Sequence, residues 1–354
     1  MTTKQSQQAF RILPLAGCVL FAIGGTPALA ADPVPGGPAA QVYGQARLHL
    51  LNRSDDFGTA GNGTALQSYA SRIGVKGSFP TGIENVEAFY TLEMLYDTSD
   101  AIDDSDLRGR DAFAGLRGSF GSVKAGRLST AYKSTLTKID PWNDSEMQSR
   151  GFGGRQGSSA LHSSYFNKAI EYATPKFNGV TLAGWASLQF DDTNARLHNA
   201  GPLTAYEGGS ASGLGVKYEN DSLFVGADLI DIDADTITNA NLANDTGYQI
   251  AGRYKMGAFS VAALYEDVED IGLGKNTWFN VIYKQGAMRY TAGYGMNRDA
   301  LRFNNEDIDT FNIGAIYNLN KTSELFAAYN HRSEDNANLD FKTFTVGMNL
   351  KFGY

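Results

Sequence analysis

Little in this 354-residue sequence could carry covalent chemistry. Its histidines, at positions 49, 162, 198 and 331, show no metal-ligand spacing. The single cysteine, Cys18, lies close to the N-terminus. The glycine-rich run Gly151-Phe152-Gly153-Gly154-Arg155-Gln156-Gly157-Ser158 lacks the Lys-Ser/Thr ending that seats a phosphate. No serine stands out beside a histidine as a nucleophile, so an enzyme is not expected. What remains is charge. Acidic residues crowd three segments, at Asp97, Asp100, Asp103, Asp104 and Asp106, at Asp228, Asp231, Asp233 and Asp235, and at Glu266, Asp267, Glu269 and Asp270. Such runs concentrate cations. Asp231-Ile232-Asp233-Ala234-Asp235 opens like a calcium loop, but Thr236 stands in the glycine position and Leu242 in that of the bidentate glutamate. A true EF-hand is rejected. A weak surface site for Ca2+ or Mg2+ at Asp231, Asp233 and Asp235 is the only metal expectation, and no cofactor is expected. The basic residues are placed differently. Arg47, Arg72, Lys76, Arg117 and Lys124 alternate with apolar neighbours, which puts each on the wet face of an extended segment. Counted from Val123 and Ala125, Arg127 falls on the dry face, unless Gly126 marks a bulge that resets the phase.

The elements that carry these charges follow from period-2 alternation. In Val42–Leu50 one face is Val, Gly, Ala, Leu, Leu and the other Tyr, Gln, Arg, His. The pattern recurs at 71–79, 86–96, 111–120, 122–128, 168–174, 180–190, 213–219, 223–230, 247–255, 258–265, 278–284, 287–296, 310–319, 324–330 and 341–354, for sixteen predicted strands. Short turns alternate with long polar segments at 51–70, 97–110, 129–167, 191–212, 231–246, 266–277, 297–309 and 331–340. Seven short turns and eight long loops are what sixteen up-and-down antiparallel strands require when both termini lie on the short-turn rim. The asymmetry favours an all-β transmembrane barrel over a soluble sandwich. Tyr96, Tyr218, Tyr254, Tyr265, Tyr283 and Tyr294 sit at strand ends, where interfacial girdles form.

Composition closes off other classes. Charged residues make up 19% and aromatics 12%, which excludes a disordered chain. No apolar run beyond the first 31 residues is long enough for a spanning helix. Residues 1–30 read as a signal peptide, with Lys4 and Arg11, an apolar core from Ile12 to Ile23, and Ala28-Leu29-Ala30 at the cleavage site. The domain is then 31–354, without cysteine, and loss of two positive charges takes the net charge from −8 to −10. That balance argues against nucleic acid as a partner.

The ordered set of segments resembles the trimeric general porins of the Gram-negative outer membrane, of the Neisseria and proteobacterial type. Ser71–Gly77 is similar to that family's second strand, Ala112–Leu116 with Phe120–Arg127 to its fourth and fifth, Ile170–Gly179 to its sixth, and Leu319–Tyr329 to its penultimate hairpin. Phe344, Val346, Met348, Leu350, Phe352 and Tyr354 resemble the C-terminal assembly signal, with Tyr where the family usually ends in Phe. The resemblance implies a homotrimer and a third loop, here 129–167, folded into the lumen. It also implies a constriction in which Asp140, Asp144 and Glu146 of that loop face a basic wall of Arg47, Arg72, Lys76, Arg117, Lys124 and Arg127.

A sixteen-stranded barrel is too wide for its side chains to fill, so it leaves an aqueous channel. The expected function is passive diffusion of ions and small hydrophilic solutes through the outer membrane. The net charge suggests weak cation preference. A substrate-specific channel would need a file of aromatics along the lumen, whereas Phe89, Phe113, Trp185 and Phe224 have inward parity on separate strands. A non-conducting receptor or adhesin would need a plugged lumen. Lipid and lipopolysaccharide are the expected surroundings.

Overall fold

The computed structural model describes residues 39–55, 62–99, 108–189, 206–335 and 339–353. The predicted signal peptide, His198 and Asp100, Asp103, Asp104 and Asp106 lie outside them. Sixteen antiparallel spans form one closed sheet among the described residues. They are β1 (Ala39–Asp55), β2 (Gly63–Ser68 continued as Arg72–Pro80), β3 (Val86–Leu95), β4 (Arg108–Gly118), β5 (Gly121–Leu128), β6 (Phe166–Ala173), β7 (Val180–Ser187) and β8 (Ser210–Glu219). The second half comprises β9 (Leu223–Asp233), β10 (Thr246–Met256), β11 (Phe259–Val268), β12 (Gly274–Gln285), β13 (Met288–Arg298), β14 (Ile308–Asn318), β15 (Ser323–Glu334) and β16 (Leu339–Phe352). Closure is made by β1 against β16, from Gly44 opposite Phe352 to Asp55 opposite Phe341.

Every predicted strand is present, and the differences lie at the long-loop rim. The expected long segment 51–70 is largely strand: β1 runs on to Asp55 and β2 starts at Gly63, paired as Arg53 opposite Gly63 and Leu48 opposite Ser68. Between its two parts β2 kinks at Ala70, which has φ +54°, and the Ala70 carbonyl accepts from Gln45 Nε2 at 2.8 Å. The kink turns Tyr69 inward.

Alternation sorts the side chains as expected. Val42 and Leu50 face outward, while Tyr43, Gln45, Arg47 and His49 face in. Two aromatic belts ring the outer face of the C-terminal strands. Tyr248, Tyr265, Phe279, Tyr294, Phe311, Tyr329 and Phe344 form the belt nearer the long loops, and Tyr254, Phe259, Tyr283, Tyr290, Tyr317 and Phe352 the other. Tyr248 and Tyr254 are six residues apart, about 20 Å along a strand, which approaches the height of an apolar membrane band. Tyr96 leaves the girdle to which its position assigned it: it turns inward, and its hydroxyl donates to the Gln45 carbonyl at 3.3 Å. On β1 to β5 the large exposed side chains are aliphatic or Met apart from Phe79.

The band can be located by depth. Ile313→Arg, midway between the belts, is expected to destabilise the folded barrel by about 2–4 kcal/mol, against about 0–1 kcal/mol for Leu319→Arg at the short-turn rim. Urea unfolding in lipid vesicles measures both; equal losses would remove the band from this position.

Candidate functional site

The lumen is occupied by residues 129–165, which join β5 to β6. Ser129 turns the chain inward, its backbone N–H donating to Asp111 Oδ1 at 2.7 Å. A short helix, α1 (Ala131–Thr137), follows, and its first N–H donates to Glu171 on β6 at 3.1 Å. From the lumen floor, Lys217 on β8 donates to the Ala131 carbonyl at 2.9 Å and to the Ser134 hydroxyl. Three dry clusters fix the loop to the wall. Leu128, Tyr132 and Leu161 pack with Trp185, Ile230, Val268 and Ile271. Leu136 and Ile139 meet Phe224, Leu264 and Trp278. Trp142 and Met147 meet Ile316 and Phe326. These inward apolar residues depart from the simple expectation of a wet inner face: where the loop lies against the wall, the wall is dry. Loop and wall backbones run close at Gly157, φ +99°, where an added Cβ would lie 2.6 Å from the Gly295 Cα.

The loop's other side meets β1 to β4 through charge. Asp144, itself at φ +63°, pairs through Oδ2 with Arg72 at 2.7 Å and through Oδ1 with Arg150 at 3.2 Å. Its carbonyl accepts from Arg47 at 2.6 Å, and that guanidinium also reaches Glu324 at 3.1 Å. Glu146 pairs with Arg53 at 2.5 Å. Glu93 on β3 joins Arg72, at 3.4 Å, to Arg110. Burial alone would raise the Asp144 carboxyl, but Arg72, Arg110 and Arg150 outweigh it and hold it well below the usual carboxylate range. Lys133 of α1 shows the opposite balance. Burial, then Arg150 and Arg110, push its ammonium well below the usual lysine value. Lys133 Nζ lies 3.4 Å from the centre of the Tyr165 ring, which Arg110 and Arg127 approach at 5.3 and 5.2 Å. Between loop and wall a cleft is lined by Tyr69, Tyr96, Arg110, Lys133, Arg150 and Tyr165, among others.

The predicted basic wall divides. Arg47 and Arg72 touch the loop. Lys124 pairs with Glu171 at 2.9 Å, beside the start of α1. Lys76 lies over the Tyr43 ring at 4.7 Å. Arg117 stands apart at the short-turn rim, half exposed and paired with Glu87 at 2.8 Å. At Gly126, φ +142°, the β5–β6 register does shift, and Arg127 at the loop-side strand end donates to Asn167 at 2.6 Å. Of the acids, Asp140 is spent within the loop, accepting from the Trp142 and Ser149 backbone N–H groups at 2.8 Å each. Asp231 and Asp233 alternate with buried Ile232 and so project outward, and Asp235 accepts from Gly209 at 2.9 Å. Among the described residues no three metal-ligating side chains come together. Arg53, Glu93, Arg110, Arg150 and Glu324 escaped the sequence reading. Arg53 and Arg110 lay in segments taken as loop, and the parity that marked Phe89 inward would have marked Glu93.

A family model described as Gram-negative porin matches residues 17–337 of the chain. The chain belongs to the Gram-negative porin family. This porin is 26% identical over 339 residues to the major outer membrane protein P.IB of Neisseria sicca, covering 85% of this chain and 90% of that one. It is 27% identical over 219 residues to a monosaccharide porin of a Halomonas species, covering 59% of this chain and 57% of that protein. The fold is similar to the anion-selective porin from Comamonas acidovorans, with TM-score 0.67, 16% identity and coverage of 89% of this chain and all of that one. The porin is thus an outer-membrane channel protein and not an enzyme.

Because Asp144 titrates below its unfolded value, its pairs add stability that is complete above the unfolded carboxylate pKa of about 4 and lost as pH falls through the lower folded one. The stability difference between the wild type and Asp144→Asn is therefore expected to stay constant from pH 7 to about pH 5 and to shrink only in stronger acid. Urea unfolding at stepped pH measures it. A difference already lost by pH 5 would contradict the assignment.

Proposed function

We propose that this porin is a passive, water-filled channel for ions and small hydrophilic solutes, exported by removal of residues 1–30, and that residues 129–165 form its constriction. The basic wall and the loop carboxylates act there mostly in direct contact, through Arg72–Asp144 and Arg53–Glu146, so selectivity rests on the charge left over. The observation that carries the reading is Lys133. It lines the cleft, is 7% exposed, and has no carboxylate within ion-pair distance among the described residues. Burial lowers its affinity for protons most, and the neighbouring Arg150 and Arg110 add to that.

On this reading the channel prefers anions, against the weak cation preference suggested by net charge. The physical reason is range. At physiological salt a charge is screened beyond about 8 Å, so acids in loops above the mouth count for less than groups in the narrow zone. A unit charge about 5 Å from a permeating ion, inside that length, is worth about 0.4 kcal/mol in water after screening, roughly twofold in a permeability ratio. The anion selectivity named for the Comamonas neighbour is in keeping with this.

Self-association is the second part of the proposal. A neighbour of similar fold, an outer membrane protein of Vibrio cholerae, is described in a trimer form. Here the aromatic belts are dense on β10 to β16 and sparse on β1 to β5, where Gly44, Ala46, Ala112, Ala114 and Ala125 leave a low surface suited to another barrel wall. We assign the trimer contact to that arc.

Two measurements follow. In planar bilayers under a KCl gradient, the reversal potential is expected on the anion side, and Lys133→Met should lower the chloride-to-potassium permeability ratio roughly twofold. A cation-sided wild type would reverse the selectivity, and a folded barrel without conductance would end the channel reading. Ala114→Trp on β4 is expected to convert trimer to monomer by light scattering in detergent, while Ala263→Trp on β11 leaves the trimer intact.

A further inference from the structure

We infer that Glu266 on β11 is the positioning residue that sets the height of the inserted loop in the lumen, with His162, Tyr132 and Ser159 as its counterparts on the loop. The Glu266 carboxylate is fully buried and takes an unusual number of contacts. Oε1 accepts from the Tyr132 hydroxyl and the Ser159 hydroxyl at 2.7 Å each, and His162 Nε2 stands 3.0 Å away. Oε2 accepts from the Ser159 backbone N–H at 2.7 Å and from Asn276 Nδ2 on β12 at 3.0 Å. His162 is as buried as its partner and stacks on Tyr132 at 5.0 Å between ring centres. Three of these groups come from two parts of the loop that are far apart in sequence, α1 and the turn at 159–162, so one wall carboxylate ties both ends of the loop together.

The other charged ties differ in their access to water. The side chains of Arg72 and Asp144 are 14% and 10% exposed, and those of Arg53 and Glu146 25% and 7%. Water entering the lumen can take over those contacts when the loop tip moves. At Glu266 it cannot, because Leu264 and Val268 flank it on the same inward face of β11 and belong to the two dry clusters. Lifting the loop there strands a carboxylate in an apolar pocket. The base of the loop is therefore held by a contact that water cannot replace, whereas the ion pairs of Asp144 and Glu146 lie where water can reach. The groups facing this carboxylate are those named, with Asp228 on β9 linked through Gln249, which donates to Asp228 at 3.0 Å and to the Tyr132 carbonyl at 2.7 Å.

The inference rests on the constriction reading, and loop position can be read without current. Ser158, which directly precedes Ser159, is fully buried, and its hydroxyl donates to that of Ser149 at 3.2 Å. In the cysteine-free chain from residue 31 onward, folded and trimer-checked by heat-modifiable mobility, Ser158→Cys is treated with a charged maleimide alone and with Glu266→Ala. We expect labelling at least tenfold faster with Glu266→Ala, together with larger open-channel current noise. Labelling within twofold of the Ser158→Cys background would overturn the inference. If Glu266→Ala does not assemble, Ser159→Ala with His162→Phe alters only the loop and carries the same two outcomes. Faster labelling in a barrel whose parent gives no current would keep the positioning role and refute the channel.

Discussion

Hydrocarbon offers no partner to a backbone amide, and this constraint governs the rest of the molecule. Every N–H and C=O in the membrane must be paired within the sheet, so the sheet has to close, here by β1 on β16. With sixteen strands the closed wall encloses more space than its own side chains fill. A long segment of chain can then enter the lumen, and once there it faces the same constraint from the inside. Its polar groups need partners as well, and it finds them on the wall: Trp142 on Thr291 at 2.9 Å, Gly157 on Asn297 at 2.9 Å, and Gln156 on Asn330 at 2.8 Å.

The inserted loop has two unlike faces, and the division explains the distribution of residues around the barrel. Against β6 to β15 it is packed with apolar side chains and anchored by buried hydrogen bonds, so inward positions such as Trp185, Phe224, Leu264, Trp278 and Phe326 support the loop and do not meet solute. Against β1 to β4 it is charged, and positive groups outnumber negative ones around the cleft. A rigid dry support behind a charged edge keeps the charges in place while solvent and ions exchange past them. The same arc of the wall is smooth on its outer face, so the charged edge lies nearest the surface best suited to a neighbouring barrel.

The barrel was largely legible from alternation, because a strand buried on one face must repeat every second residue and a slip of one would turn its apolar side to water. Arg47 and Arg72 were found by that parity. Arg53 was not, since β1 continues past the membrane and its polar extension looks like a loop. Neither was the role of Asp140, because a loop carboxylate that closes its own turn and one that faces a pore are the same residue type in similar surroundings.

Sequence by itself determined the strand count, which side chains face lipid, the up-and-down order and the short and long rims. These are local consequences of period and turn chemistry. Tertiary structure alone decided which charges meet and where the loop is fixed. Glu266 read as one member of an acidic run, yet the fold makes it the buried acceptor that holds the loop. The reason is distance along the chain: Glu266 and Ser159 are 107 residues apart, and only closure of the barrel brings them within hydrogen-bond reach.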